Sequence, residues 1–142
     1  MTEVRLVGAE QTRPLRQRVL RPAGPTIQDD PAAVHFAAVD AGAVVATGVL
    51  LADPPPFAYA GAAWRLRGMA TDPGRRGEGL GRAVLAAVML HVQTAGGGLL
   101  WCNARTPARA FYERAGLRTW GEPWDDPAIG PHIVMRVELS GS

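Results

Sequence analysis

Arg76-Gly77-Glu78-Gly79-Leu80-Gly81 stands between a strand-like run, Ala62 to Thr71, and a helix-like run, Leu80 to Thr94. Strand, glycine turn, helix is the layout of a phosphate cradle. Glycine has no Cβ, so the backbone can come close to a ligand and adopt positive φ. The helix that follows turns unpaired N–H groups and the positive end of its dipole toward an anion. The stretch points to a phosphorylated ligand. The same glycines also suit a tight turn flanked by solvated arginines.

Working outward, each flank carries its own period. In the strand, Trp64, Leu66 and Ala70 alternate with Arg65, Arg67 and Met69, which predicts two different faces. In the helix, Leu80, Val84, Leu85, Val88 and Val92 recur at spacings of three and four, an amphipathic pattern ended by Gly96-Gly97-Gly98. Upstream, Glu3 to Val7 reads as a short strand. A helix is expected from Thr12-Arg13-Pro14 to Leu20, followed by a Pro- and Gly-rich loop from Arg21 to Pro31. Val34 to Asp40 and Ala43 to Leu51 read as a hairpin turning at Asp40-Ala41-Gly42. Downstream come a buried strand, Leu99 to Asn103, a helix, Pro107 to Ala115, and two strands, Leu117 to Trp120 and His132 to Leu139. The order predicts one mixed α/β layer domain over residues 1–142, with a sheet of about six to seven strands flanked by helices.

Composition narrows the classes. Hydrophobic residues are 47% of 142, enough for a core, and no apolar run approaches the ~20 residues of a membrane span. Cys102 is alone and the N-terminus lacks the basic start and apolar block of a signal peptide, so a cytoplasmic protein is expected. All 15 basic residues are Arg. Without Lys there is no Walker loop, Schiff base or lysine general base. A net charge of +2 speaks against a nucleic-acid footprint, although Arg13, Arg16, Arg18 and Arg21 would share a helix. Three scattered histidines and one cysteine do not make a metal site.

The phosphate ligand is narrowed by register. A dinucleotide fingerprint from Gly77 places Arg82 where the last glycine belongs, and from Gly79 it fails at Val84. The acidic residue expected about 20 residues on is also absent, since no Asp or Glu lies between Glu78 and Glu113. Met69 to Ala83 instead resembles the signature of the GNAT N-acyltransferase superfamily: a strand end, a turn with Pro, then Arg-x-x-Gly-x-Gly opening a helix. Ala110-Phe111-Tyr112-Glu113-Arg114-Ala115-Gly116-Leu117 resembles the family's second motif, an aromatic pair on a helix followed by Gly and an apolar residue. Gly130-Pro131-His132-Ile133-Val134-Met135 is similar to the last strand of a subgroup of small bacterial members.

The resemblance implies an N-acetyltransferase that moves an acetyl group from acetyl-CoA directly to a primary amine. Backbone amides near Arg76, Gly77, Gly79, Leu80, Gly81 and Arg82 would bind the pyrophosphate, with side-chain charge from Arg75, Arg76 and Arg82. Backbone groups of Met69, Ala70 and Thr71 would bind pantetheine and polarise the thioester. Tyr112 occupies the general-acid position; it equally suits a packed helix tyrosine. Seven residues before that tyrosine many members carry Asn. Here Arg105 stands there and Asn103 two residues earlier, and either would contact pantetheine.

The base is open. The long strand offers Arg65 and Arg67 at its centre in place of the carboxylate many relatives use, which suggests an acidic or polar acceptor. Glu122 and His132 are the remaining candidates; His132 equally reads as a strand-end histidine bonded to backbone. His35, His91 and Cys102 read as structural. Pro22 to Asp30, Trp120, Trp124 and a loop at Asp125-Asp126-Pro127 would wall the acceptor pocket. The expected partner is a small-molecule or peptide amine, with no nucleic acid or membrane, on a monomer or homodimer. A non-catalytic acyl-CoA-binding or regulatory module on the same fold is the alternative.

Overall fold

In the computed structural model, which describes residues 2–20, 30–127 and 130–141, the alternating runs pair into a seven-stranded sheet. The strands are β1 (Thr2–Val7), β2 (Val34–Asp40), β3 (Ala43–Ala52), β4 (Ala63–Thr71), β5 (Gly97–Arg105), β6 (Arg118–Asp126) and β7 (Gly130–Ser140). Their order is β1-β2-β3-β4-β5-β7-β6. The first four form an antiparallel meander, β5 lies parallel to β4, and β7 pairs antiparallel with both β5 and β6. The helices are α1 (Ala9–Leu20), α2 (Leu80–Thr94) and α3 (Arg109–Arg114). The mixed sheet flanked by helices agrees with the class expected from the sequence.

The apolar stripe of α2 (Leu80, Val84, Leu85, Val88, Val92) is buried on one face of the sheet. There it joins Leu66 of β4, Leu100, Cys102 and Ala104 of β5, Ile133 and Met135 of β7, and Tyr112 of α3. Helix α1 packs against β2, β3 and β4 on the other face, where Thr12 Oγ1 is hydrogen-bonded to His35 Nδ1 at 2.9 Å. Among the described residues no helix is long and apolar enough to cross a membrane.

Four local readings differ from the sequence pattern. Helix α1 begins at Ala9, three residues before Thr12. Gly8 donates its N–H to Gln11 Oε1 at 2.8 Å and accepts from the Gln11 N–H at 3.1 Å, a capping arrangement in which the third helical residue reaches back. Pro14 therefore falls inside the helix. The glycine run that ends α2 also opens β5, because Gly97 and Gly98 already belong to that strand. Strand β6 continues to Asp126, with Trp124 opposite His132 beyond a pairing break after Trp120, so Trp124-Asp125-Asp126 is strand and not loop. The loop expected over 21–31, with the Pro22–Asp30 pocket wall, lies outside the described residues as far as residue 29, as does Arg21.

The fourth difference concerns the site directly. Between Thr47↔Ala70 and Val49↔Arg67, β4 spends three steps against two in β3. The extra residue is a bulge. Gly68 takes φ 63° there, and Thr47 Oγ1 donates to its carbonyl at 2.7 Å. A bulge reverses the alternation of faces. Trp64 and Leu66 face α2, and beyond the bulge Met69 packs with them against the same core. Ala70, paired with Thr47, turns to the opposite face, where Arg65 and Arg67 stand. The expected grouping of Met69 with the arginines, and of Ala70 with Leu66, is thereby exchanged.

Candidate functional site

Strands β4 and β5 pair over three rungs, Ala63↔Leu99, Trp64↔Leu100 and Arg65↔Trp101, and no further. From there β4 continues to Thr71 bound to β3, and β5 continues to Arg105 bound to β7. The two strands part, and the β5-facing edge of Leu66 to Thr71 has no strand partner. Backbone N–H and C=O groups left unpaired in a core need other partners. A ligand in the gap would supply them to Met69, Ala70 and Thr71.

The wide end of the gap meets the glycine loop. Asp72 caps a 3-10 turn over Pro73–Arg75 by accepting from the Gly74 N–H at 3.0 Å. Gly77 and Gly79 then adopt φ of 85° and 79°, left-handed values that only glycine takes at little cost. Gly79 is the residue before α2 and has no side chain to cap it. The first closed turn runs from the Ala83 N–H to the Gly79 carbonyl at 3.0 Å. The N–H groups of Leu80, Gly81 and Arg82 therefore lack intrahelical acceptors and share the positive end of a fifteen-residue helix. They open on a cleft of about 530 Å³ whose lining includes Thr71, Arg76, Gly77, Met89, Phe111 and Arg114.

The arginines of the loop have separate tasks. Arg75 Nε donates to both oxygens of Glu78 at 3.0 and 2.9 Å, and its Nη2 donates to Asp40 at 3.0 Å. These bonds pin the loop to the β2–β3 hairpin, and they raise the guanidinium pKa above its ordinary value while lowering that of Asp40. Arg75 is thus committed to carboxylates and is not one of the cations available to a ligand. Arg76 and Arg82 make no ion pair among the described residues. Arg114 also lines the cleft; sequence reading passed it over, although it follows Phe111 by three residues and so shares its helix face.

Helix α3 closes in a Schellman motif: the Leu117 N–H donates to the Tyr112 carbonyl at 3.1 Å and the Gly116 N–H to Glu113 at 3.0 Å. Tyr112 and Leu117 are buried together beneath. The Tyr112 ring meets Phe111 edge to face at 5.0 Å and neighbours Cys102, the first β5 residue past the last parallel rung. Burial, and then the Cys102 thiol, push the phenol well above its ordinary range. Burial likewise pushes the Cys102 thiol up to about 12, which leaves it protonated and a poor nucleophile.

The other face of the gap holds a different set. Asn103 and Arg105 are both exposed and share one face of β5, with Arg105 opposite His132. His132 is buried; its Nδ1 lies 2.8 Å from the Gly130 carbonyl and Trp124 stacks on its ring at 5.5 Å. Because a carbonyl only accepts, Nδ1–H is the donor in this contact, and in the neutral imidazole that tautomer leaves the lone pair on Nε2. His132 and Tyr112 stand on opposite faces of the sheet. Glu122 is not brought to the gap: it sits exposed in the β6 bulge, and β7 stands between β6 and β5. His35 and His91 are packed, the latter edge-on to Phe36 and Trp64. The arginines of α1 do not form one exposed face, since Arg16 is buried and Arg18 pairs with Asp72 at 3.3 Å. Among the described residues no group of three or more His, Cys, Asp or Glu is placed to hold a metal ion.

Comparison with known proteins bears on this arrangement. The model of the acetyltransferase (GNAT) family matches residues 6–117. The chain is 33% identical over 148 residues to the Bacillus subtilis (strain 168) protein described as uncharacterized N-acetyltransferase YitI, covering 100% of this chain and 99% of that one. Among solved structures, IAA acetyltransferase from Bacillus cereus ATCC 14579 superposes with a TM-score of 0.79 at 15% identity, over 98% of this chain and 100% of that chain. An aminoglycoside 6'-N-acetyltransferase complexed with coenzyme A superposes with a TM-score of 0.77 at 15% identity, over 99% and 98% of the two chains.

Proposed function

The chain belongs to the GNAT family of acetyltransferases, and from that premise we propose that it transfers an acetyl group from acetyl-CoA directly to the nitrogen of a primary amine. The observation that carries this reading is the parting of β4 and β5 after Arg65↔Trp101. It frees one edge of β4 along a line from the apex, where Tyr112 lies, to the glycine loop at the head of α2.

The residues present fit such a donor. The amides of Leu80, Gly81 and Arg82 and the cations of Arg76, Arg82 and Arg114 suit a pyrophosphate. The free edge at Met69, Ala70 and Thr71 suits the amides of pantetheine, with Asn103 and Arg105 on the far side of the gap. Bound acetyl-CoA supplies the acyl group as a thioester. The amine nitrogen bonds to the carbonyl carbon, the C–S bond breaks, and the sulfur leaves with the electron pair. Tyr112 gives that sulfur its proton; a raised pKa keeps the phenol protonated throughout the working pH range. His132 Nε2, on the acceptor face, takes the proton the amine loses, directly or through water. Cys102 stays a core residue, so no acyl-enzyme step is invoked.

Thiol release from acetyl-CoA with a panel of amines tests the proposal. Tyr112→Phe should lower turnover by about 10²-fold or more, the ordinary worth of a general acid, with little change in acetyl-CoA affinity. Equal turnover in the variant removes Tyr112 as the acid. Binding of acetyl-CoA without thiol release to any amine would point to a non-catalytic acyl-CoA module, for which the absence of a carboxylate on the β4 face also speaks.

A further inference from the structure

The acceptor side of the gap carries a charge imbalance. Arg65 and Arg67 project from one face of β4, the first at the last rung shared with β5 and the second just beyond it. Their β3 partners on that face are Leu51 and Val49, both buried, so the guanidinium stems lie on an apolar floor. Among the described residues Arg65 has one carboxylate, Asp53, at 3.3 Å. Its guanidinium stacks over Trp101, 4.9 Å from the ring centre, and its buried Nε has no hydrogen-bond partner among the described residues. Arg67 is half-buried, and among the described residues it makes no hydrogen bond or ion pair. Burial first, and the charge of Arg65 second, disfavour its charged form, with Asp53 acting weakly the other way.

A part-buried cation beside a like charge, with the neighbouring carboxylate already bonded to the other guanidinium, is costly. An anion docked there would offset that cost and satisfy the idle guanidinium donors, which match a carboxylate in fork geometry. The donor's phosphates are not that anion. Four strand steps, about 13 Å at 3.3 Å each, lead from Arg67 to Thr71, where the cleft lined by the glycine loop begins. Phe111 and Met89 of that cleft also lie on the opposite face of the sheet. Past Trp101 the arginine face continues into an aromatic wall, with Phe57 against Trp120 at 4.8 Å and Trp124 over His132.

We infer that Arg65 and Arg67 form an anion subsite for the acceptor, so that the amine acetylated here carries a carboxylate next to an apolar or aromatic body. The inference rests on the acetyl-transfer reading for its meaning, but the subsite can be tested apart from it. Arg67 is the principal contact because its donors are uncommitted. Arg65, held by Asp53 and Trp101, positions the second fork.

Two measurements on the full chain decide it. The first compares kcat/KM for matched acceptors with and without the carboxylate: phenylalanine against phenethylamine, and an apolar dipeptide against its C-terminal amide to separate free amino acids from peptides. The wild type should favour the acid member by at least tenfold, and Arg67→Met should bring the ratio close to one, mainly through KM. The second needs no turnover. N-acetylphenylalanine should raise the melting temperature of the wild type and not of Arg67→Met, while N-acetylphenethylamine should act alike on both. Without ligand, Arg67→Met should melt no lower than wild type, since an unpaired cation is exchanged for an apolar side chain of similar length. Equal preference for acid and amine, or equal stabilisation by the two N-acetyl compounds, overturns the subsite. Acid-specific stabilisation lost in Arg67→Met, with no amine acetylated, keeps the subsite and overturns the transfer reading instead.

Discussion

Cys102 and Tyr112 share the apex of the strand gap, and burial raises both pKa values. For the thiol, 2% exposed, the value moves from 9.0 to about 12. The folded chain then holds this proton more tightly than the unfolded one. Its stabilising contribution is complete below about pH 9 and is lost as pH climbs toward 12. Stability should fall by about 1.4 kcal/mol per pH unit once the unfolded thiol ionises, with the phenol adding to the slope above its own ordinary range. Denaturant unfolding at pH 8 and pH 10 checks this, and Cys102→Ala should lose about 1.4 kcal/mol less stability between the two pH values than the wild type. The same slope in the variant would mean the thiol is not held protonated in the fold. At this scale the sequence was partly legible. Tyr112 could be singled out because a helix motif surrounds it. The commitment of Arg75 to Asp40 could not, because that carboxylate arrives from a hairpin thirty-five residues away and no local pattern announces it.

Among the elements, α2 was readable to its ends, Leu80 and Thr94, because a sustained apolar stripe between glycines leaves little choice of period or boundary. The tyrosine helix was readable at its end, where Gly116-Leu117 closes it in a Schellman motif with its own apolar contact, but not at its start. The expected first residue, Pro107, lies in a 3-10 turn over Thr106–Ala108, and the α-helix runs only over Arg109–Arg114. Two features were hidden. The bulge at Gly68 is set by the register against β3, which alternation within β4 cannot express. The tail of β6 was masked by Gly121-Glu122-Pro123, whose residue types signal a loop although the chain resumes pairing at Trp124. The glycine loop itself yields a sharp expectation. A Cβ on Gly79 meets nothing within 4 Å, so Gly79→Ala tests conformation and not crowding. Holding alanine at φ 79° costs about 1–2 kcal/mol; if the loop relaxes to avoid it, the amides of α2 lose their aim. Acetyl-CoA affinity measured by calorimetry should fall roughly tenfold, about 1.4 kcal/mol, with the far-ultraviolet dichroism unchanged. Unaltered affinity would mean that the left-handed turn does not shape the cradle.

Across the whole molecule, the sheet order places β4 and β5, the one parallel pair among the described residues, at the centre, and the candidate site is shaped by how that pair ends. The meander β1 to β4 anchors one lip of the gap and the β5–β7–β6 ladder anchors the other. Helix α2 delivers its N-terminus to the open end. Tyr112 lies on the α2 side and His132, Arg65 and Arg67 on the other, so in the direct transfer proposed above the donor and the acceptor would come from opposite faces. The short pairing of β4 with β5 was not legible in the sequence, because it depends on the bulge and on β7 pairing with β5, both long-range facts. Amide chemical-shift mapping of the isotope-labelled protein during titration with acetyl-CoA tests the placement of the donor most directly. The account predicts the largest changes at Leu80, Gly81 and Arg82 and at Met69 to Thr71, with β1 and β2 unaffected. Saturable binding that shifts other amides and leaves those two stretches in place would contradict it.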